Sequence, residues 1–249
     1  MAAGGIDALS QFQLHPALGP IGASVNFTQA NLMMVVAGAL VLGLLWVGMR
    51  PRAMVPGRLQ SAAEMSYETV MNMCVETIGD EGRKYFPFVF TLFFFILFGN
   101  LLGVFPYFFT FTSHIAVTLA LTVFVVGLVT YVGLRSHGWH FFSYFVPQGV
   151  PAALLPLLVP IEVLSYVSRL ISLSVRLFAN MMAGHVMLDV FGAFVIMLGT
   201  AGVIFWVPAG FSLAVNVALI GFELLVATLQ AYVFAVLTCI YLHDAVHLH

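Results

Sequence analysis

Arg169, Arg176 and Glu223 stand inside long apolar runs, where a charged side chain has no water to solvate it. Glu162, His185 and Asp189 share the run that carries the two arginines. A charge at the centre of a bilayer costs about 2.5–3.5 kcal/mol on insertion scales. Such groups therefore face a cavity or a partner. Two kinds of chemistry are open to this set. The charges pair between helices and only hold them together, or they pass a charge through an otherwise apolar medium.

Helical geometry groups them. At about 100° per residue, Glu162, Arg169, Arg176 and Asn180 fall on roughly one face. Ser165 and Ser172 join that face, with Ala179 and Ala183 beside it. One side of the rod is thus polar and small, with a permanent cation near its middle. His185 lies about 140° round from Asn180 and turns away from the arginine stripe. A second apolar run carries Asn216, Glu223 and Gln230 at a spacing of seven, which is another polar stripe. The geometry lets His185 meet Glu223. Asp189, one turn after His185, suits a local hydrogen bond to it. Arg169 near an interface could also extend its head to water.

The medium follows from composition. Of 249 residues, 62% are apolar and only 7% charged, and mean hydropathy is +1.07. A soluble domain carries about 25% charged residues, so most of this surface must face lipid. Net charge is −2 and the eight Lys and Arg are scattered, which excludes a nucleic-acid footprint. Cys74 and Cys239 are distant in sequence, at a spacing that argues for neither a disulfide nor a metal. The tail H-D-x-x-H, from His243 to His247, lacks the glutamate of H-E-x-x-H and predicts no metal site. No glycine loop for phosphate is present. No cofactor is expected.

Charge-free stretches mark the elements that position these residues. Ala30 to Met49 is a first span, stopped by Arg50, Pro51 and Arg52. The polar stretch Arg58 to Lys84 reads as a helix at the cytoplasmic surface, with Met65, Val70, Met73 and Ile78 loosely on one side. Phe86 to Phe105 and His114 to Leu134 form a hairpin, turned by Pro106 to Ser113. Gly99 and Gly103 make a G-x-x-x-G pair suited to close helix contact. Residues 136–149 read as an aromatic interfacial connector. Pro147, Pro151, Pro156 and Pro160 suit a helix start better than an interior. Ile161 to about Phe191 and Ala209 to about Leu242 read as two long helices, with a turn at 199–202.

The fold class is therefore all-α integral membrane, with about five crossings and an interfacial helix. One membrane domain over residues 1–249 divides into a leader (1–29), N-terminal helices and a hairpin (30–134), and a C-terminal hairpin (150–249). The N-terminus lacks the Lys/Arg-rich start of a secretory signal. Arg50, Arg52, Arg58, Arg83, Lys84 and Arg135 flank loops on one side, and 106–113 has none. The positive-inside rule then puts the N-terminus outside and the C-terminus in the cytoplasm.

The core R-L-F-x-N-x-x-A-G-H, from Arg176 to His185, resembles the subunit a family of F-type ATP synthases. So do Glu223 with the run Thr228 to Tyr241, and G-N-L-L-G-V-F-P from Gly99 to Pro106. The resemblance extends from about residue 30 to the C-terminus and is strongest over 160–242. It implies a static proton-channel subunit, non-catalytic by itself, in the bacterial inner membrane, with its last two helices long and steeply tilted. It implies that Arg176 faces a rotor carboxylate. Asn180, His185, Glu223 and Gln230 would line an outer half-channel, and Glu162 would stand near the inner exit. Arg169, Ser172, Asn216 and Asp189 are secondary candidates. Some family members exchange the acid and the imidazole at the 185 and 223 positions, which argues for a cooperating pair. The partners implied are a rotor ring of small hairpin subunits (subunit c), peripheral-stalk subunits of the b type, the catalytic sector indirectly, membrane lipid and protons.

Other classes fit less well. A secondary transporter would show internal repeats and broken mid-membrane helices. A bis-His haem carrier needs paired deep histidines, whereas only His185 is plainly deep. An intramembrane protease needs a nucleophile or acid dyad with a base, and no such set is evident.

Overall fold

The computed structural model describes residues 28–49, 57–105, 108–138 and 154–247. The leader expected before residue 28, the Arg50-Pro51-Arg52 stop, Pro106, the connector over 139–149 with Pro147, Pro151, and the last two residues, Leu248 and His249, lie outside them.

Among the described residues there are six α-helices: α1 (Gln29–Met49), α2 (Arg58–Ile78), α3 (Gly82–Val104), α4 (Ile115–His137), α5 (Leu155–Ala201) and α6 (Trp206–Val246). All but α2 are long and apolar enough to cross a membrane, five in total. The chain is an all-α, multi-pass membrane protein.

The polar stretch after residue 57 divides where glycine permits it. Helix α2 ends at Gly79, whose φ of +90° closes the helix without a β-carbon penalty. Gly82 then starts α3 against the Cys74 carbonyl, and a β-carbon there would come within 2.5 Å of that oxygen. The covered face of α2 is Val70, Met73, Cys74 and Ile78. Met65 is not on it and is 67% exposed. At about 100° per residue it sits some 140° from Val70, too far round to share the face.

Proline and glycine set the long helices differently from the expectation. Helix α5 starts at Leu155, so Pro160 lies inside its second turn, where only one backbone bond is lost. It continues ten residues past Phe191 to Ala201. Gly199, Thr200 and Ala201 stay helical, and the turn is made by Gly202 alone, at φ +133°, with the 3-10 turn Val203–Phe205. Pro208 then falls in the first turn of α6, where a missing N–H costs nothing. The 47 residues of α5 are more than twice the ~20 a perpendicular crossing needs.

The chain forms two compact units. The first joins residues up to Leu40, Ile96–His114 and Leu177–Gln230. In it, Asn100 donates to the Ala227 carbonyl at 3.3 Å, and Ser212 donates to the Phe191 carbonyl at 3.1 Å. Gly99 and Gly103 do not serve a helix pair here. Their missing side chains make room for Phe111 and Thr110, on a segment folded in around the 3-10 turn Phe111–Ser113. Phe111 and Thr112 are fully buried.

The second unit joins Val41–Phe95, Ile115–Arg176 and Ala231 onward. Tyr67 meets Phe86 edge-on at 4.5 Å between ring centroids, and Phe88 meets Phe124 at 5.8 Å. Thr130 and Tyr166 share a hydrogen bond of 2.7 Å, and Thr118 and Ser174 one of 3.2 Å, which tie α4 to α5. The distant Cys74 and Cys239 are both buried, as free thiols, with sulphurs 3.8 Å apart.

Candidate functional site

Helix α5 has a covered and an uncovered side. Leu173, Ser174, Leu177 and Met181 are buried, on an arc centred roughly 115° from Arg176. Ser172, Arg176, Ala179, Asn180 and Ala183 are exposed. Only 6% of the membrane-length window of α5 is buried, against 44% for α3 and 39% for α6. The polar stripe read from periodicity is therefore exposed from Ser172 to Ala183 among the described residues, whereas Glu162, Ser165 and Arg169 on it are half-buried.

Helix α6 is the reverse. Besides Ala209 and Ser212 near its start, its buried residues are Glu223, Ala227, Gln230, Ala231, Phe234, Ala235, Thr238, Cys239, Leu242 and Ala245, a helical stripe rich in small side chains. Small residues let helix backbones approach closely. Glu223 and Gln230 are thus carried inside, at 3% and 4% exposure, and Asn216 is half-buried two turns before Glu223.

In the first unit these stripes meet. Asn180 Nδ2 donates to Gln230 Oε1 at 3.0 Å. His185 Nε2 lies 3.6 Å from Glu223 Oε1 and 2.7 Å from Thr110 Oγ1. Gly192 lies beside Asn216, whose Nδ2 would be 3.5 Å from a β-carbon there. As the residue number rises on α5 it falls on α6, the antiparallel register of a hairpin. Asp189 is half-buried on α5, one turn beyond His185.

The same unit holds polar atoms that are buried without a hydrogen-bond partner among the described residues. They are Asn100 Oδ1, Thr112 Oγ1, His114 Nε2, Asn216 Oδ1, Gln230 Nε2 and both carboxylate oxygens of Glu223. Buried polar groups are nearly always satisfied, by protein or by ordered water.

The second unit holds the cations. Arg169 Nη1 donates to Asp244 Oδ2 at 3.3 Å and stands over the Tyr241 ring at 5.6 Å. This gives Arg169 a structural partner in the C-terminal tail, and the acid of the H-D-x-x-H tail its use. Glu162 is half-buried on α5. Arg176 is exposed and, among the described residues, makes no hydrogen bond or ion pair.

Two residues in contact with the acid and the imidazole were not reached from sequence. Gly184 leaves the space that Glu223 fills: a β-carbon there would be 2.8 Å from Glu223 Oε1. Thr110 bonds His185. Gly184 sits inside the A-G-H motif and could have been questioned there, but a threonine in a turn carries no signal of its own.

Comparison with known proteins gives the family. Residues 31–243 match the family described as ATP synthase A chain. The chain is 64% identical to the ATP synthase subunit a of Granulibacter bethesdensis over 245 residues, covering 98% of each. It is 61% identical to that of Gluconacetobacter diazotrophicus, covering 99% of each, and 54% identical to that of Rhizobium leguminosarum, covering 97% of each. A match over nearly the whole chain, with both polar stripes inside it, shows that the chain belongs to the ATP synthase A chain family.

Proposed function

We propose that this chain is the static proton-channel subunit of a rotary ATP synthase, non-catalytic by itself, which offers two offset half-channels to carboxylates on a rotor ring. The observation that carries the proposal is Arg176, a permanent cation on an apolar helix, exposed and without an ion pair among the described residues. A charge so placed demands a partner from outside the chain. A passing acid supplies one.

The steps follow from charge and solvation. A proton enters from the outer side through the hydrated path by Asn216, Glu223, His185, Asn180 and Gln230. It neutralises a rotor carboxylate, which can then move into lipid, because desolvation penalises the charged form. After the ring turns, the acid reaches an inner opening near Glu162, is hydrated and releases its proton. Arg176 draws the arriving carboxylate, and its guanidinium does not deprotonate. It also repels a migrating proton and so keeps the two openings apart. Along α5, Glu162 precedes Arg176 by roughly 21 Å and His185 follows it by roughly 13–14 Å, at 1.5 Å per residue. A potential of 100 mV supplies about 2.3 kcal/mol per charge moved, which leakage past the arginine would dissipate.

Orientation and partners belong to the same proposal. The N-terminus is outside and the C-terminus cytoplasmic, in the bacterial inner membrane. The rotor ring covers the open side of α5, and peripheral-stalk subunits of the b type dock on the N-terminal elements. Arg176→Ala tests the whole. In vesicles containing the assembled synthase, ATP-driven proton pumping disappears while passive proton leak persists or rises. Fully coupled pumping by that variant overturns the proposal.

A further inference from the structure

The 108–114 segment does more than turn the chain. It lies between α3 and α4, and its residues 110–113 are packed inside, although Phe108 before them is exposed. Thr110 is 5% exposed, Ser113 4%, and Phe111 and Thr112 are fully buried. Such a segment is usually placed outside, because buried loop backbone is hard to satisfy. Here the turn satisfies itself: Ser113 Oγ donates to the Thr110 carbonyl at 2.6 Å, and the Ser113 and His114 amides donate to Thr110 and Phe111 carbonyls at 3.2 Å each. Two glycines on α3 open the space. A side chain at Gly99 would collide with the Phe111 ring, and one at Gly103 with Thr110. Three features thus converge on bringing one hydroxyl inward, and that hydroxyl bonds His185.

The geometry at His185 is unequal. Its Nε2 is 2.7 Å from Thr110 Oγ1, a full hydrogen bond, and 3.6 Å from Glu223 Oε1, which is beyond one. A hydroxyl can donate to a bare ring nitrogen or accept from a protonated one. A carboxylate can only accept. Thr110 therefore serves both protonation states of Nε2, and holds the ring so that the same nitrogen stays within a small movement of Glu223.

We propose that Thr110 is a positioning residue for His185: its hydroxyl orients the imidazole toward Glu223 and helps set the pH at which the pair transfers a proton. This rests on the reading of His185 and Glu223 as proton-path residues. Among the described residues of the first unit, the titratable groups besides His185 are Glu223 on α6, Asp189 on α5 itself and His114 at the end of the segment. Helix α3 contributes none between residues 96 and 104. Hydrogen bonds to a charged group are about twice as strong as neutral ones. Removing the hydroxyl therefore handicaps the protonated ring more than the neutral one.

The test is ATP-driven proton pumping against pH, in vesicles with the whole synthase and subunit stoichiometry measured in each preparation. Thr110→Val keeps the shape and loses the hydroxyl. It moves the pH profile toward acid by about half to one unit, the size an ordinary hydrogen bond produces. Thr110→Ser restores the profile to within 0.3 units (roughly, on the same scale). If Thr110→Val fails to assemble, Thr110→Ser against Thr110→Ala gives the same comparison, since these two differ only in the hydroxyl. A profile that tracks lost volume rather than the lost hydroxyl, with Ser and Ala alike, overturns the proposal. His185→Ala separates the two levels. If it leaves the profile unchanged, His185 is off the path and the underlying reading fails. If it alters the profile and Thr110→Val does not, only the role of Thr110 fails.

Discussion

Glu223 and Gly184 occupy one space: the carboxylate on α6 fills the gap that a missing side chain leaves on α5, with Glu223 Oε1 2.8 Å from where a β-carbon at 184 would stand. The contact explains how an acid at 3% exposure is accommodated inside an apolar bundle. It also makes the position of the acid sensitive to one methyl group.

Gly184→Ala should displace Glu223 without unfolding the chain. The obstructing atom is the end of a flexible side chain, so the stability loss should stay under about 1.5 kcal/mol. Proton pumping should fall by about tenfold or more, since small misplacements of reacting groups have large effects on rate. Gly82→Ala provides the contrast. There the obstruction is the Cys74 backbone carbonyl, which cannot rotate away. It should destabilise by about 1–3 kcal/mol and reduce the amount of assembled protein. Thermal release of the subunit, read beside pumping per assembled complex, distinguishes the two. Equal pumping by Gly184→Ala and the parent chain would contradict the first expectation.

Arg169 and Asp244 should matter little. Their side chains are 33% and 31% exposed, so solvent screens the pair. A double-mutant cycle with Arg169→Ala and Asp244→Ala should give a coupling of about 0.2–1 kcal/mol. Pumping by Asp244→Ala should stay within about twofold, a change worth under 0.5 kcal/mol. A coupling several times larger would contradict the screened, weakly stabilising pair expected here.

His114 should make the fold sensitive to acid. It stacks on Phe109 at 5.2 Å between centroids, and burial holds its imidazole below the ordinary histidine range. Its folded pKa is depressed, so the neutral form stabilises the fold. That contribution is fully present above the unfolded value of about 6.5 and is lost as pH falls below it. Thermal unfolding of the membrane sector at pH 7.5 and 5.5 should show a smaller acid-induced drop for His114→Phe than for the parent. An identical drop in both would remove His114 from the effect.

Much of this protein is legible without coordinates, because the bilayer imposes strict rules. Apolar length and missing charge assign the crossings, since each backbone polar group in lipid must be satisfied within a helix. The same cost of buried charge singles out Arg169, Arg176 and Glu223, and a spacing of seven places Asn216, Glu223 and Gln230 on one stripe. What periodicity assigns is a direction around a rod. It does not say whether that direction is covered. The folded chain decides that the Glu223 stripe is inside and the stripe from Ser172 to Ala183 is open. It decides that Arg169 is answered by Asp244, 75 residues away, while Arg176 has no ion pair among the described residues. It also decides that Gly99 and Gly103 admit a turn rather than a helix, so that Thr110 reaches His185. These outcomes depend on which surfaces meet, and distances between elements far apart in the chain leave no local trace in residue order.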